Sequence, residues 1–403
     1  MTIEEIDKKL RFLKIKYFFK NILKKTNNNI VQFIALNTIS NKNIFYKKTL
    51  RESQLTNAFL PKLIGEESTS IQLYLPPVEL YGLQDVGFST DTTAFLDRTF
   101  NFFYYEKVRD FSSQYTILLN TNTLHFHSHH LAKISNLTKV KRNEDVFFLA
   151  GNFTFNYFHF LIEILPKLKY FSSIPNSDQV IIVADYSIKS NINLQTILCF
   201  FTKQIKIEYL SRDNFYFFNK TWHITYPNYV IPNIVEGEEF QANFAAFSKE
   251  SVEYVRTICL ENFDSQQIKV KAESRIFLAR KSAIRRYNEK VILSIAQKYG
   301  FKEVCFEDCN IHEQIFYMRN ADYIIGPSGA SWTNLIFCHE NKTKGLMWLG
   351  KVWNDFSVFS TLAKFVNFDL CHYRYDQESP SFHANYELSV SEFEEQLKKL
   401  LLK

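Results

Sequence analysis

Short hydrophobic runs alternate with amphipathic stretches over most of this chain. In the C-terminal half, Ser274–Ala279 reads as a strand and Asn288–Tyr299 as a helix closed by Gly300, a natural cap. Glu303–Phe306 is then a strand, Ile311–Asn320 a short helix, and Asp322–Ile325 a strand ending at Gly326. A helix is expected after Gly329, a strand at Gly345–Leu349 and an amphipathic terminal helix at Leu388–Leu402. The middle of the chain repeats the theme. Gln114–Asn120, Asp145–Ala150, Gln179–Ala184, Gln204–Tyr209 and Phe215–Thr225 read as strands, with a helical stretch at Tyr157–Tyr170. Residues 236–263 read as one long helix with Phe247, Val252, Val255 and Ile258 inward. Residues 26–110 have weak periodicity and look like short strands and loops, with a turn at Leu75-Pro76-Pro77.

The reading predicts an α/β fold of two successive halves joined by a helix, leaving a cleft between them. A length of 403 residues agrees with more than one domain. The expected division is an N-terminal basic helix and extension over 1–60, an α/β domain over 61–235 and a second over 236–403. In open α/β sheets, ligands sit beyond the carboxyl ends of the strands. The polar residues worth attention fall there.

Composition narrows the classes. Hydrophobic residues at 46% and charged residues at 22% are those of a globular chain, and 10 Gly with 9 Pro do not suit disorder. The 40 Phe and 22 Tyr exceed ordinary use; most of the Phe is expected in the core. A net charge of +6 suits an anionic substrate or lipid and is too small to argue for nucleic acid. The six cysteines are scattered, so a disulfide framework is not implied, and Cys305 with Cys309 read better as buried free thiols than as a metal pair. No run of 18 apolar residues appears, and the first residues lack the order of a signal peptide. The expected location is the cytoplasm. Residues 1–25, with Leu10, Leu13, Phe18, Ile22 and Leu23 beside Arg11, Lys14, Lys16, Lys20, Lys24 and Lys25, are compatible with a helix lying on the inner face of a membrane or docked on the protein itself.

Four constellations carry candidate chemistry. In Asn156–Pro166, His159 and Glu163 stand four apart and share a helical face, as a base and its orienting partner would; a buried hydrogen bond at a strand–helix junction explains them equally. After Ser274–Ala279 comes Arg280, then Lys281, Arg285, Arg286, Asn288 and Glu289; arginine at a strand end suits phosphate, while Lys281 and Arg285 read as a solvated basic loop and Asn288 as a helix cap. The segment Gly326-Pro327-Ser328-Gly329-Ala330, continuing to Thr333 and Asn334, reads as a strand-to-helix turn whose free N–H groups suit an anion; a tight turn chosen for packing explains it as well. It is neither the dinucleotide fingerprint nor a P-loop. Glu313 and Gln314 begin a helix, where Glu313 is placed to accept from ribose hydroxyls or to favour the helix dipole.

Taken together, these blocks resemble glycosyltransferase family 61. Asn156–Leu168 is similar to its Asn-Tyr-x-His-Trp-x-x-Asp/Glu-x-x-Pro-x-Leu block, Arg280 to the Arg closing its Ile-Ser-Arg strand, and Arg285, Arg286, Asn288 and Glu289 to its Arg-Arg-x-x-Asn-Glu stretch. Glu313-Gln314 resembles its Glu-Gln pair and Gly326–Asn334 its Gly-x-His-Gly-Ala-x-x-Thr-Asn loop; the likeness covers about residues 145–345. The chain departs at Ser328 for His, Phe160 for Trp, Ser331 for Gly and Glu163 for Asp.

The resemblance implies a GT-B-like fold, two Rossmann-type domains facing across a cleft. It implies inverting transfer of a hexose or pentose from a nucleotide sugar to a surface-polysaccharide or glycolipid acceptor. His159 and Glu163 would be catalytic. Arg280, Arg286, Asn288, Glu313, Gln314, Gly326, Ser328, Gly329, Ala330, Thr333 and Asn334 would hold the donor. The layout requires no cofactor and no metal. The alternative is a non-catalytic glycan- or polyanion-binding protein of a polysaccharide assembly system, which the Ser328 departure motivates.

Overall fold

The computed structural model describes residues 29–106, 122–127, 131–231, 239–281, 284–377, 381 and 384–402. The helix expected at 1–25 and the strand expected at Gln114–Asn120 lie outside them.

The N-terminal half stacks two sheets. One has six strands. Its parallel part is β1 (Asp145–Leu149), β2 (Ile181–Asp185), β3 (Ile207–Leu210) and β4 (Lys220–Ile224), in the order β3-β2-β1-β4. Val78–Leu83 and Ile44–Arg51 extend it antiparallel beyond β4. The strand β1 reads Asp-Val-Phe-Phe-Leu because both its faces are covered. Val146 and Phe148 point into a cluster with Phe88, Phe95 and Tyr216, while Phe147 and Leu149 pack with Leu161, Leu165, Ile182 and Leu194 on the other face. The first face meets an eight-stranded, mostly antiparallel sheet to which Val86–Phe88, Ala94–Asp97 and Asn214–Phe217 belong. Rings of Phe88 and Phe148 lie 4.4 Å apart between the sheets. Much of the phenylalanine therefore serves as the filling between two stacked sheets.

The C-terminal half is a five-stranded, all-parallel sheet. It comprises β5 (Arg275–Ala279), β6 (Lys302–Cys305), β7 (Tyr323–Pro327), β8 (Lys344–Gly350) and β9 (Asp369–Tyr375), ordered β6-β5-β7-β8-β9. Glu289–Lys298 and Val390–Leu402 cover one face, through Ile292, Ile295, Phe393 and Leu397 against Phe277, Ile325 and Leu346. Ile311–Asn320 and Val358–Phe365 cover the other, through Ile315, Met318 and Leu362 against Ile276, Leu278 and Ile324. Strand order reverses between β5 and β7, so a crevice opens at their carboxyl ends. The same arrangement occurs between β1 and β4 in the first half.

The hydrophobic cluster on the helical side of β1 is continuous with that behind β5 and β7, so the two halves share a core. The hairpin Gln54–Phe59 with Ser70–Leu75 crosses to the C-terminal half, where the Phe59 N–H donates to Thr361 Oγ1 at 2.9 Å and the His372 N–H to the Lys62 carbonyl at 2.8 Å. Among the described residues, no helix is long and apolar enough to cross a membrane.

Several expectations need correction. Residues 236–263 are not one helix: Ala245–Ala246 pairs with Tyr229–Val230, and the helix is Lys249–Glu261, started by Ser248, whose hydroxyl accepts from the Ser251 N–H. Phe215–Thr225 is two strands in two different sheets, Asn214–Phe217 and Lys220–Ile224. The stretch 157–173 is helical but irregular, widening over Phe160–Ile164 and tightening over Leu165–Ser173. Pro166 has no N–H to give the Ile162 carbonyl; the Asn228 side-chain amide supplies it at 2.6 Å. The strand Asp369–Tyr375 was not foreseen. The cysteines are free as expected, but Cys305 and Cys309 are only half-buried and Cys199 is exposed.

Candidate active site

The crevice beyond β5 and β7 is basic. Arg280 is the residue after β5 and Ser328 the residue after β7. Arg280 Nη1 donates to the Ser328 carbonyl at 3.3 Å, and Nη2 donates to the Arg285 carbonyl. Arg285 takes a left-handed backbone with φ of 54°, which folds the loop back and brings its guanidinium beside Gly329. A Cβ built on Gly329 would lie 3.8 Å from Arg285 Nη2. Burial pushes the Arg285 pKa down to about 10, and the neighbouring Arg280 charge pushes it the same way. Two guanidiniums held together in partial burial form a site whose electrostatics improve when an anion arrives.

Ser328 is 7% exposed, and its Oγ has no hydrogen-bond partner among the described residues. Behind it, Gly329, Ala330 and Ser331 are half-buried at the start of the tight helix Ala330–Phe337, whose first bond runs from the Trp332 N–H to the Gly329 carbonyl. The N–H groups of Ala330 and Ser331 thus have no partner within that helix. An open cleft of about 370 Å³ continues from Arg280 and Arg285 along Arg286, Asn288, Glu289 and Lys290. Tyr287 lines this cleft and stacks on Tyr386 at 5.3 Å and 2°; Tyr386 stacks in turn on Tyr375 at 4.2 Å and 15°, and these two line a small adjoining pocket with Arg280, Arg285 and Ser328.

The second constellation lies beyond β1. Asn156 caps the helical stretch 157–173, accepting from the Phe158 and His159 N–H groups. His159 Nδ1 bonds Glu163 Oε2, and the other carboxylate oxygen accepts from the Val230 N–H at 3.2 Å. The His159 ring stacks on Phe153 at 4.8 Å. With Glu163 as carboxylate, Nδ1 carries the proton and Nε2 is the basic nitrogen. His159 and Glu163 share a small pocket with Thr93, Asn152, Phe153, Tyr226 and Val230. Below it, Lys167 is fully buried with its ammonium 3.6 Å over the Tyr226 ring, and Glu106 accepts from the Tyr226 N–H and bonds His223 at 2.7 Å. Burial opposes ionisation of Glu106, but His223 and Lys167 outweigh it and hold its pKa below the usual carboxylate range. Burial and the Lys167 charge together depress His223.

The two constellations are tied together. Tyr157 Oη donates to Asn334 Oδ1 at 2.7 Å, Asn334 Nδ2 donates to Gln314 Oε1 at 3.1 Å, and Gln314 Nε2 donates to the Phe306 and Cys309 carbonyls. The helix bearing His159 is thus bolted to the helix that follows Ser328.

This chain of bonds changes the assignment of several expected donor residues. Gln314 and Asn334 are buried with their amide groups used internally, and Thr333 is fully buried. Glu313 closes a capping box with Asn310, while its other oxygen accepts from the Lys269 N–H at 3.2 Å. Asn288 does not cap its helix; its amide clamps both backbone groups of Leu388. Gly326 is needed by packing: a Cβ there would come 2.8 Å from Leu278 Cβ on the adjacent strand. Arg280 and Ser328 do line the crevice, with Gly329 beside Arg285, and exposed Arg286 lines its outer cleft, whereas Ala330 packs against the core. Lys281 is exposed and paired with Asp308, as a solvated loop would be. Arg285 is the correction: it is half-buried in the crevice, because a left-handed turn reverses the chain there. The tyrosine stack and Asn152 went unnoticed, since Tyr287, Tyr375 and Tyr386 meet only through the sheet order.

Residues 157–345 match the family model described as Glycosyltransferase 61, a span that contains His159, Glu163, Arg280, Arg285 and Ser328. No curated protein matches the chain.

Proposed function

From the premise that this chain carries a glycosyltransferase 61 domain, and with it a general sugar-transfer function, we propose that it is an inverting glycosyltransferase. It moves a hexose or pentose from a nucleotide sugar to a surface-polysaccharide or glycolipid acceptor. The reading includes a GT-B-like arrangement, the C-terminal half taking the donor and the β1 side the acceptor. It includes work on the cytoplasmic side, at the membrane where the acceptor is lipid-linked.

The observation that carries the reading is the bolt from Tyr157 to Asn334, which ties the helix of a His–Glu pair to the helix that starts at a crevice lined by Arg280 and Arg285. The acceptor hydroxyl gives its proton to His159 Nε2 while Glu163 accepts from Nδ1–H and steadies the imidazolium. Its oxygen bonds the anomeric carbon on the face opposite the diphosphate. The bond from that carbon to the phosphate oxygen breaks, and the nucleoside diphosphate leaves with the electron pair. Arg280, Arg285 and the N–H groups of Ala330 and Ser331 offset the charge that develops on it.

The test is transfer from a panel of nucleotide sugars to glycoside acceptors. His159→Ala and Glu163→Gln should lower kcat by about 10²–10⁴-fold, the usual worth of a general base, with nucleotide binding retained. Arg280→Ala should lose nucleotide binding. Wild-type turnover in all three removes the site. Ser328, where the family carries His, favours one competing reading, a glycan-binding protein without catalysis; nucleotide or glycan binding with no transfer across the panel would select it.

A further inference from the structure

The turn after β1 contains a polar group that neither the fold nor the proposed reaction has used. Asn152 is 7% exposed. Its Oδ1 accepts from the Thr93 N–H at 3.2 Å and from the Thr93 hydroxyl at 3.3 Å, which fixes the orientation of the amide. Its Nδ2 has no hydrogen-bond partner among the described residues, although the group lines the pocket of His159 and Glu163. A buried amide donor left unpaired is costly, so it is retained where a ligand completes it.

The next residue points the same way. Phe153 holds φ at 60°, a conformation that a bulky side chain rarely adopts, and its ring stacks on His159. Thr154 pins the turn from both sides, its hydroxyl donating to the Gly151 carbonyl and accepting from the Gly151 N–H. Gly151 has no room for a side chain, since a Cβ would strike Tyr226 Oη. The turn is thus held in a strained shape that sets Phe153 against the base and leaves Asn152 Nδ2 unpaired at the base's own pocket. That pocket admits about 10 Å³, the space of one water or one hydroxyl, and not a sugar ring.

We propose that Asn152 is a positioning residue for the acceptor, whose Nδ2 donates to one hydroxyl oxygen of the acceptor sugar seated beside His159. The inference rests on the sugar-transfer reading and adds to it the group that selects the acceptor. One hydroxyl enters the pocket and accepts from Asn152, which seats the sugar so that a neighbouring hydroxyl faces His159. An acceptor lacking that hydroxyl leaves the amide unpaired and is rejected.

The experiment measures transfer from UDP-, GDP- and dTDP-sugars to p-nitrophenyl glycosides and their monodeoxy analogues, in the full chain. Asn152→Asp keeps the oxygen that holds Thr93 and removes the donor. It should lower kcat/KM for the acceptor by roughly 10-fold while leaving the KM for the donor unchanged. One monodeoxy acceptor should lose the same factor with the wild type and nothing further with the variant. A second readout needs no variant: the Asn152 side-chain amide of ¹⁵N-labelled protein should shift when the glycoside is added. Wild-type acceptor kinetics in Asn152→Asp, or an amide signal unmoved by a glycoside that is turned over, overturns the inference and leaves the reaction standing. A wild-type protein that binds no nucleotide sugar and transfers nothing removes both.

Discussion

Replacing Asn334 by Ala tests whether this motif residue holds the protein together or holds the donor. The side chain is fully buried and makes three hydrogen bonds, to Tyr157 Oη at 2.7 Å, Gln314 Oε1 at 3.1 Å and the Ser331 carbonyl at 3.2 Å. Removing it strands two buried side-chain groups. Tyr157 retains some accessible surface, but its hydroxyl is out of water, and burial drives its pKa well above that of an ordinary tyrosine. Each stranded group costs about 1–3 kcal/mol, so the variant should lose about 2–6 kcal/mol. That is a large share of the roughly 5–15 kcal/mol that holds a typical domain folded. Tyr157→Phe strands only the Asn334 oxygen and should cost about 1–3 kcal/mol. Because the two residues share a bond, the double variant should lose less than the two losses added, by about 0.5–3 kcal/mol. Urea unfolding followed by tryptophan fluorescence measures all four proteins, and donor KM is read on the same samples below the transition. An Asn334→Ala protein as stable as the wild type but with a raised donor KM would refute the scaffold argument and return Asn334 to the donor.

The remaining predictions concern the basic crevice and its supports. Arg285→Met should raise stability in the absence of ligand and abolish the thermal shift given by a nucleoside diphosphate. A pKa lowered to about 10 against an ordinary 12.5 corresponds to roughly 3 kcal/mol of disfavoured charge. The sign follows from linkage. The folded form binds fewer protons between those two values, so the penalty fades as pH rises through that window and is complete below pH 10, including at neutrality. A variant no more stable than wild type at pH 7 contradicts it. Ser328→Ala removes a buried hydroxyl without a partner and should leave stability equal or higher, while weakening nucleoside diphosphate binding by about 3–10-fold, the worth of one neutral hydrogen bond; calorimetry reads the second and unchanged affinity refutes it. Glu313→Ala breaks the capping box and the Lys269 tie, and should cost about 0.5–2 kcal/mol in unfolding experiments with donor KM unmoved.

The sequence by itself determined the α/β character of both halves, most elements of the C-terminal half and the parallel strands of the first, because the parallel strands are covered on both faces and so read as continuous apolar runs. It also determined that Arg280 sits at a strand end, after β5; β7, however, runs two residues past Ile325, so that Ser328 and not Gly326 follows it. His159 and Glu163 were legible as a pair because a helix turns every 3.6 residues. The eight-stranded sheet was not legible, since its strands are short and its neighbours distant in the chain; Thr138–Lys141 pairs with Asn214–Phe217, and Ile30–Ala35 with Phe102–Tyr105. Only the tertiary structure divided the motif residues by task. Glu313, Gln314 and Asn334 are polar residues at a helix start or turn, as a donor contact would be, but their partners are Asn310, Lys269 and Tyr157. Arg285 has the charge of a solvated loop, yet a left-handed turn half-buries it beside Arg280. Local spacing records which groups can hydrogen-bond; the folded sheet order decides whether each meets the protein's own backbone or an open crevice.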